Sequence, residues 1–480
     1  MSNVREQYEA VIGLEVHAQL MTKSKMFCSC PNEYGAKINS NICPVCTGQP
    51  GSLPTVNRNA VELGIRAALA LNCHIREESI FARKNYFYPD LPKGYQISQY
   101  EKPFCEKGKL TVRLKSGEEK EIGITRIHFE EDAGKNVHAA FGTVVNLNRA
   151  GVPLVEIVSE PDMRTSHEAG QYLRALHSIL RYGDICDGNM EQGNFRCDAN
   201  ISVRKRGESK FGTKVELKNI NSFRFVEKAI DYEIDRQIDL VEKGEAIRQQ
   251  TRTWNSAKNI TELMREKESA HDYRYFPEPD LSPLIISAEW QDKVKKAMPE
   301  LPDQVRQRFQ KDFSLSEYDA GVLTASKDLA HFYQETVKVC SNSKAAANWV
   351  ANELLGRLNA VGKEIQESPV SAHQLGDLIG RIDQGEISGK IAKTVFEEMF
   401  ASSKNPADII KEKGLVQISD SGAIEAAIDK VIAANPTQLA DYKAGKVKLF
   451  AFFVGQVMKE TRGQANPGMV NDLVKKKLDS

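Results

Sequence analysis

Two close thiol pairs, Cys28-Ser-Cys30 and Cys43-Pro-Val-Cys46, stand twelve residues apart near the start of a 480-residue chain. Four thiolates at that spacing suit tetrahedral zinc, and with all four ligands drawn from protein no coordination position is left for catalysis. The expectation is a structural zinc knuckle over residues 28–46, with Pro44 shaping its turn. Reduced, unliganded thiols in a loop are the alternative, and a redox role is a third. Cys73, Cys105, Cys186, Cys197 and Cys340 read as ordinary thiols of the interior. Nine cysteines is an odd number, which argues against a disulfide framework.

A second constellation is acidic. In Val11-Ile-Gly-Leu-Glu-Val-His-Ala-Gln-Leu20 the apolar residues Ile12, Leu14, Val16 and Ala18 share one strand face, which puts Glu15 and His17 together on the other. In Ile124–Asp132 the same alternation groups Arg126, His128 and Glu130 opposite Ile127 and Phe129, making Glu130 rather than Glu131 the ligand candidate. Glu156 sits alone among apolar neighbours in Gly151–Val158. An unpaired ionised group there carries a large desolvation penalty, so it needs a cation, a donor or a proton. Brought together, Glu15, His17, Glu130 and Glu156 could hold a hard divalent cation that keeps several waters and bridges nucleotide phosphates. Taken singly, each acid is more often a salt-bridge partner than a metal ligand.

A third run, Phe195-Arg-Cys-Asp-Ala-Asn-Ile-Ser-Val-Arg204, alternates throughout, with Arg196, Asp198 and Asn200 on the polar face. Lys214, Glu216 and Lys218 share a face in the run that follows. Together they offer either a phosphate- or substrate-binding platform or a solvated sheet face. There is no Walker-type or Gly-x-Gly-x-x-Gly loop, and no amidase-type Ser-Lys nucleophile.

The elements that must position these residues change character along the chain. Alternating strand-like runs dominate the first 290 residues, with helical patterns interspersed at Asn59–Leu71 and after Asn221-Ser222. Three prolines within Tyr275–Pro283 precede a switch to almost wholly helical periodicity, and Asn405-Pro406 makes a second break. Three domains are therefore expected, 1–290, 291–405 and 406–480. Lys plus Arg and Asp plus Glu both number 65, so no global field points to nucleic acid. From residue 441 onward, however, eight basic residues face four acidic ones, ending in Lys475, Lys476 and Lys477. No apolar run reaches the roughly 18 residues that span a bilayer, and the opening segment is unlike a secretory signal. A cytoplasmic protein without a membrane segment is expected.

Several of these segments resemble one family, the B subunits of the bacterial aspartyl/glutamyl-tRNA amidotransferase. They are Val11–His17, Arg83-Lys-Asn-Tyr-Phe-Tyr-Pro-Asp90, Tyr95-Gln-Ile-Ser98, Asn148-Arg-Ala-Gly-Val-Pro-Leu154, Arg196–Asn200, Asp272–Asp280 and Gly463-Gln-Ala-Asn-Pro467. Asn146 departs from the Asp usual in the family at that place. The resemblance implies an α+β fold: a glutamine-synthetase-like cradle with a mainly antiparallel sheet, then an all-helical domain, then a small helical tail that contacts tRNA. It implies Mg2+ at Glu15, His17, Glu130 and Glu156 and favours structural Zn2+ at Cys28, Cys30, Cys43 and Cys46, while Arg196, Asp198 and Asn200 of the alternating polar face are the candidates for substrate contact.

The implied activity is a ligase reaction of translation. ATP phosphorylates the side-chain carboxylate of mischarged Glu-tRNA(Gln), Asp-tRNA(Asn) or both, and ammonia displaces the phosphate. The ammonia would come from an amidase-type A subunit through a channel reaching Lys84, with a small C subunit completing a heterotrimer. A non-enzymatic tRNA scaffold and a ligase acting on a free amino acid are the competing readings.

Overall fold

The computed structural model describes residues 2–114, 116–140, 142–266, 273–415, 420–461 and 464–479, so Asp272 and Gly463 of the segments named above lie outside the described residues. The chain divides into two compact units, Met1–Pro302 and Asp303–Ser480. It is a mixed α+β protein with a large sheet in the first unit and a helical C-terminal region.

The first unit is organised by nine strands in the order Ile260–Glu266, Gln250–Asn255, Val215–Ile220, Phe195–Lys205, Tyr8–Gln19, Pro153–Ser159, Glu119–Glu131, Cys105–Arg113 and His74–Ile75. All neighbours are antiparallel except Val215–Ile220 beside Gln250–Asn255. Alternation decides the two faces. Ile12, Leu14, Val16 and Ala18 of the central strand are almost fully buried, in one cluster with Leu173, Leu176, Val226 and Ile230.

Those partners come from two covering helices, Ser166–Tyr182 and Phe223–Glu242. Each starts where a hydroxyl satisfies an otherwise orphaned amide: Thr165 accepts from the Glu168 N–H, and Ser222 from the Phe225 N–H. With helices on the apolar face, the polar residues of the same strands are left on the opposite face.

A third helix, Arg58–Ala70, is capped by the Asn57 side chain, which accepts from the Asn59 and Ala60 amides. Gly64 lets this helix approach the sheet closely, since a Cβ there would stand 2.3 Å from Phe129 Cζ. The Phe129 ring stacks on Phe104 with centroids 4.4 Å apart. Helix Ala288–Lys296 also belongs to this unit: Val294 joins its core, and the Trp290 indole N–H donates to Glu62 at 3.2 Å.

In the second unit, helices Lys327–Cys340 and Ala372–Asp383 pack closely at Gly376, where a Cβ would meet Val339 Cβ at 2.6 Å. A separate apolar cluster joins helices Ser421–Ala434, Leu449–Glu460 and Pro467–Asp479 through Ile424, Ile428, Phe453, Val457, Val470 and Val474. The terminal basic run is not uniform. Lys475 and Lys476 are exposed, whereas the Lys477 ammonium pairs with Asp429 at 2.7 Å. Among the described residues no helix is long and apolar enough to cross a membrane.

Phe129 lies between His128 and Glu130 in sequence but faces the core, so its packing fixes the orientation of both neighbours. Phe129→Ala is expected to lower the unfolding free energy of the first unit by about 3–5 kcal/mol, the usual cost of deleting a buried aromatic ring. Denaturant unfolding checks this, and a loss below about 1 kcal/mol would contradict it.

Candidate functional site

Register sets the site. His17 lies opposite Arg196 on one neighbouring strand and Glu156 on the other, and Glu156 lies opposite His128 in turn. One row across four strands therefore reads Arg196, His17, Glu156, His128. Glu130, two residues beyond His128 on the same face, completes the group.

The distances are those of an ion cluster. His17 Nε2 is 3.2 Å from Glu156 Oε2, and His128 Nε2 stands 3.5 Å from both Glu156 Oε2 and Glu130 Oε1. The Ser98 hydroxyl and the Gln96 amide donate to Glu130 at 2.8 and 3.2 Å, and Lys84 Nζ is 3.9 Å from Glu130 Oε1. Ser98 and Gln96 come from strand Tyr95–Ser98 and Lys84 from Ala82–Asn85, two strands of a small three-stranded sheet. Lys84 Nζ also stands 5.1 Å from the Tyr273 ring centroid.

Burial penalises every charge here, and in five of the groups mutual attraction wins. Burial opposes ionisation of Glu130, yet the Lys84 ammonium first and then His128 bring its carboxyl down to about 2. Glu156 is likewise held well below the usual range against burial, chiefly by the charge of His128. Burial disfavours the imidazolium of His128, but Glu156 and Glu130 raise it to about 9. His17 is raised too, by its hydrogen bond to Glu156 in spite of burial. Lys84 rises above the ordinary amine range because Glu130 outweighs its desolvation.

Glu15 behaves differently. Burial raises it, and the charges of Glu156 and Asp198 push the same way.

Among the sequence-derived candidates, the structure brings His17, Glu130 and Glu156 together, with one imidazole nitrogen and two carboxylate oxygens all within 4.8 Å of one another, a set that could hold a metal ion. Two carboxylates kept ionised beside an imidazole fit a hard divalent cation. Glu15 lies outside that trio and accepts from the Asn200 amide at 2.8 Å. Asp198 pairs with Lys218, which also reaches Glu216 at 3.1 Å. Arg196 donates to Asp132 Oδ2 at 2.9 Å, an oxygen that also accepts from the Gln19 amide at 2.8 Å.

Sequence reasoning placed His128 on the right face without assigning it a role, and it passed over Gln96 and Ser98. The spacing of those two, on one face of Tyr95–Ser98, was the available signal.

The polar face continues into two cavities along the central strand. One of about 530 Å³ is lined by Gln19, Tyr34, Lys135, Asn148, Arg149 and Asn194; the other, of about 300 Å³, by Val11, Gly13, Glu15, Asn200, Phe211 and Lys214. The cluster lies between them.

The thiols of Cys28, Cys30, Cys43 and Cys46 also all lie within 4.8 Å of one another, a donor set that suits zinc. The Cys28 hydrogen bond and the neighbouring Lys25 ammonium help bring Cys46 down to about 4, against burial. Cys105, Cys186 and Cys197 are buried, whereas Cys73 and Cys340 are half-buried.

Fold and site together define an α+β domain that carries a largely buried carboxylate–imidazole cluster on the polar face of its sheet. A family model described as the GatB/GatE catalytic domain matches residues 10–292, and one described as the GatB domain matches residues 331–478. The B subunit of the aspartyl/glutamyl-tRNA(Asn/Gln) amidotransferase of Bdellovibrio bacteriovorus is 57% identical over 98% of this chain and 99% of its own length. Its namesakes from Thioalkalivibrio sulfidiphilus and Carboxydothermus hydrogenoformans are 58% and 56% identical, each over 98% of this chain and at least 99% of their own length. The chain belongs to the family of aspartyl/glutamyl-tRNA amidotransferase B subunits.

The raised His128 imidazole has a testable sign. Its folded value of about 9 lies above the ordinary 6.5, so in chelator-treated protein its pairing stabilises fully below about pH 6.5 and fades as pH rises through about 9. The stability gap between wild type and His128→Gln, read from urea unfolding, is expected to shrink by on the order of 1–3 kcal/mol between about pH 6 and pH 10. A gap independent of pH would contradict the pairing.

Proposed function

We propose that this chain is the activating subunit of a glutamine-dependent aminoacyl-tRNA amidotransferase, a ligase that converts Glu-tRNA(Gln) and Asp-tRNA(Asn) to Gln-tRNA(Gln) and Asn-tRNA(Asn). The carrying observation is the cluster of His17, His128, Glu130 and Glu156, buried at His128 and Glu130 and half-buried at His17 and Glu156, in a matched catalytic domain. A tRNA scaffold without chemistry gives no reason to desolvate two carboxylates beside two imidazoles and a lysine.

A carboxylate resists amidation because hydroxide is a poor leaving group. ATP therefore phosphorylates the side-chain carboxylate on tRNA, and ammonia then displaces phosphate from the acyl-phosphate. His17, Glu130 and Glu156, with Glu15 beside them on the strand, would hold Mg2+, which would supply positive charge to offset that of the phosphates. The chain's own residues orient the reactants: Glu130 is fixed by Ser98, Gln96 and Lys84, and Glu156 by the two imidazoles. Arg196, steadied by Asp132, faces the same side and can meet developing negative charge. Asp198 and Asn200 extend the platform toward the smaller cavity, and the larger cavity, with its amides and cations, offers room for the aminoacyl end of tRNA.

Ammonia is protonated in water, so a sheltered path from a glutaminase is needed, and Lys84 marks where it would enter. The partner is an amidase-type A subunit, with a small C subunit completing a cytoplasmic heterotrimer. The first unit is the glutamine-synthetase-like cradle. We assign cradle, helical domain and tRNA-binding tail in that order, with the expected boundary at 290 moved beyond helix Ala288–Lys296, whose Val294 belongs to the cradle core, and the boundary at 405 kept, and structural Zn2+ to the four clustered cysteines.

In the reconstituted complex, Glu156→Gln is expected to cut charged-tRNA-dependent ADP release by about 10²-fold or more while tRNA affinity changes less than about threefold. Deleting residues 406–480 is expected to do the reverse, weakening tRNA binding and sparing the KM for ATP. Loss of tRNA affinity in Glu156→Gln with turnover retained would return the scaffold reading.

A further inference from the structure

Lys25 is fully buried, yet among the described residues no carboxylate stands within ion-pair distance of it. Its Nζ lies 2.7 Å from the Asn41 carbonyl oxygen, 3.4 Å from the Leu147 carbonyl oxygen and 3.6 Å from Cys46 Sγ. An ammonium has three protons to donate, and here are three acceptors. Two are neutral carbonyls, so the sulfur is the one partner able to carry negative charge. A buried ammonium without an anion is strongly disfavoured, and four neutral thiols would provide none. Four thiolates around a divalent ion leave a net charge of 2−, which Lys25 lowers to 1−. The Cys43 amide donates to the same sulfur at 3.2 Å.

The lysine also joins two pieces of chain. Asn41 belongs to the cysteine loop, and Leu147 to the segment that runs into the Pro153–Ser159 strand carrying Glu156. Other bonds follow the same seam. Asn148 accepts from the Asn41 amide at 3.0 Å, Asn39 accepts from the Leu147 amide at 2.7 Å, and the Met26 amide donates to the Gly151 carbonyl at 2.8 Å. Arg149, within this segment, donates to the Ala133 and Gly134 carbonyls at 3.0 and 2.7 Å.

We infer that Lys25 is the outer counter-ion of a metal–thiolate centre at Cys28, Cys30, Cys43 and Cys46, and a positioning residue that ties occupancy of this centre to the order of residues 145–152. The inference rests on the reading of the four cysteines as a zinc site. It makes the knuckle a brace for the loop feeding the Glu156 strand.

The test uses the full chain loaded with Zn2+, comparing wild type with Lys25→Met, which keeps length and removes charge. The readouts are the rate of zinc transfer to a colorimetric chelator, and amide hydrogen exchange across 145–152. Lys25→Met is expected to release zinc at least about 10-fold faster, the usual cost of losing an outer-shell partner. Stripping zinc from wild type is expected to raise exchange in 145–152 while leaving the Phe195–Lys205 strand unchanged, a comparison that decides the matter even if the variant does not fold. Wild type that holds no zinc would overturn the metal reading itself. Zinc held with equal tenacity by both proteins, or exchange in 145–152 indifferent to zinc, would overturn the role of Lys25 alone.

Discussion

Two carboxylates taken out of water side by side are the constraint on which this molecule is built. Each of Glu130 and Glu156 would take up a proton if burial acted alone, and their proximity would force at least one to do so. Both stay ionised because compensating groups are fixed around them: the His128 imidazole between the two, Lys84 against Glu130, and a His17 nitrogen within hydrogen-bond distance of Glu156. Removing one member leaves an uncompensated buried charge, which costs far more than the pair contributes. The surrounding structure must therefore hold several elements in register at once.

That requirement explains the architecture of the first unit. A central antiparallel sheet places His17, Glu156 and His128 in one row with no loop involved, so their separation is set by strand spacing. Helices on the apolar face press the sheet from behind, and the gap left by Gly64 lets Phe129 lock the strand that carries His128 and Glu130. The small sheet containing Lys84, Gln96 and Ser98 delivers the remaining donors. It is itself anchored where the Arg83 guanidinium grips buried Glu278 at 2.7 Å through two nitrogens. Precision at the cluster thus comes from sheet geometry, and the accessible space comes from the cavities on either side.

Much of this was legible in the sequence, because strand alternation is a local property. The parity of Glu15 with His17, of His128 with Glu130, and of Arg196 with Asp198 and Asn200 could be read without a structure, and Glu156 declared itself by its apolar neighbours. Register between strands is not local. Nothing in the spacing of residues 15, 130 and 156 says that Glu156 aligns with His17 while Glu15 falls one step along and pairs with Asn200 instead. Nor does sequence reveal that His128 bridges two acids, or that Ser98 and Gln96 reach across from another sheet. The helix start at Ser222 and the cysteine cluster were readable for the opposite reason, since their partners are close along the chain.

The most direct measurement follows an oxygen atom. Glu-tRNA(Gln) carrying 18O in its side-chain carboxylate, turned over by the reconstituted complex with ATP and glutamine, should yield inorganic phosphate bearing one 18O per turnover, because the phosphate leaves with a carboxylate oxygen. Phosphate free of the label, released while Gln-tRNA(Gln) forms, would contradict activation of the substrate by phosphorylation and with it the role assigned to the cluster.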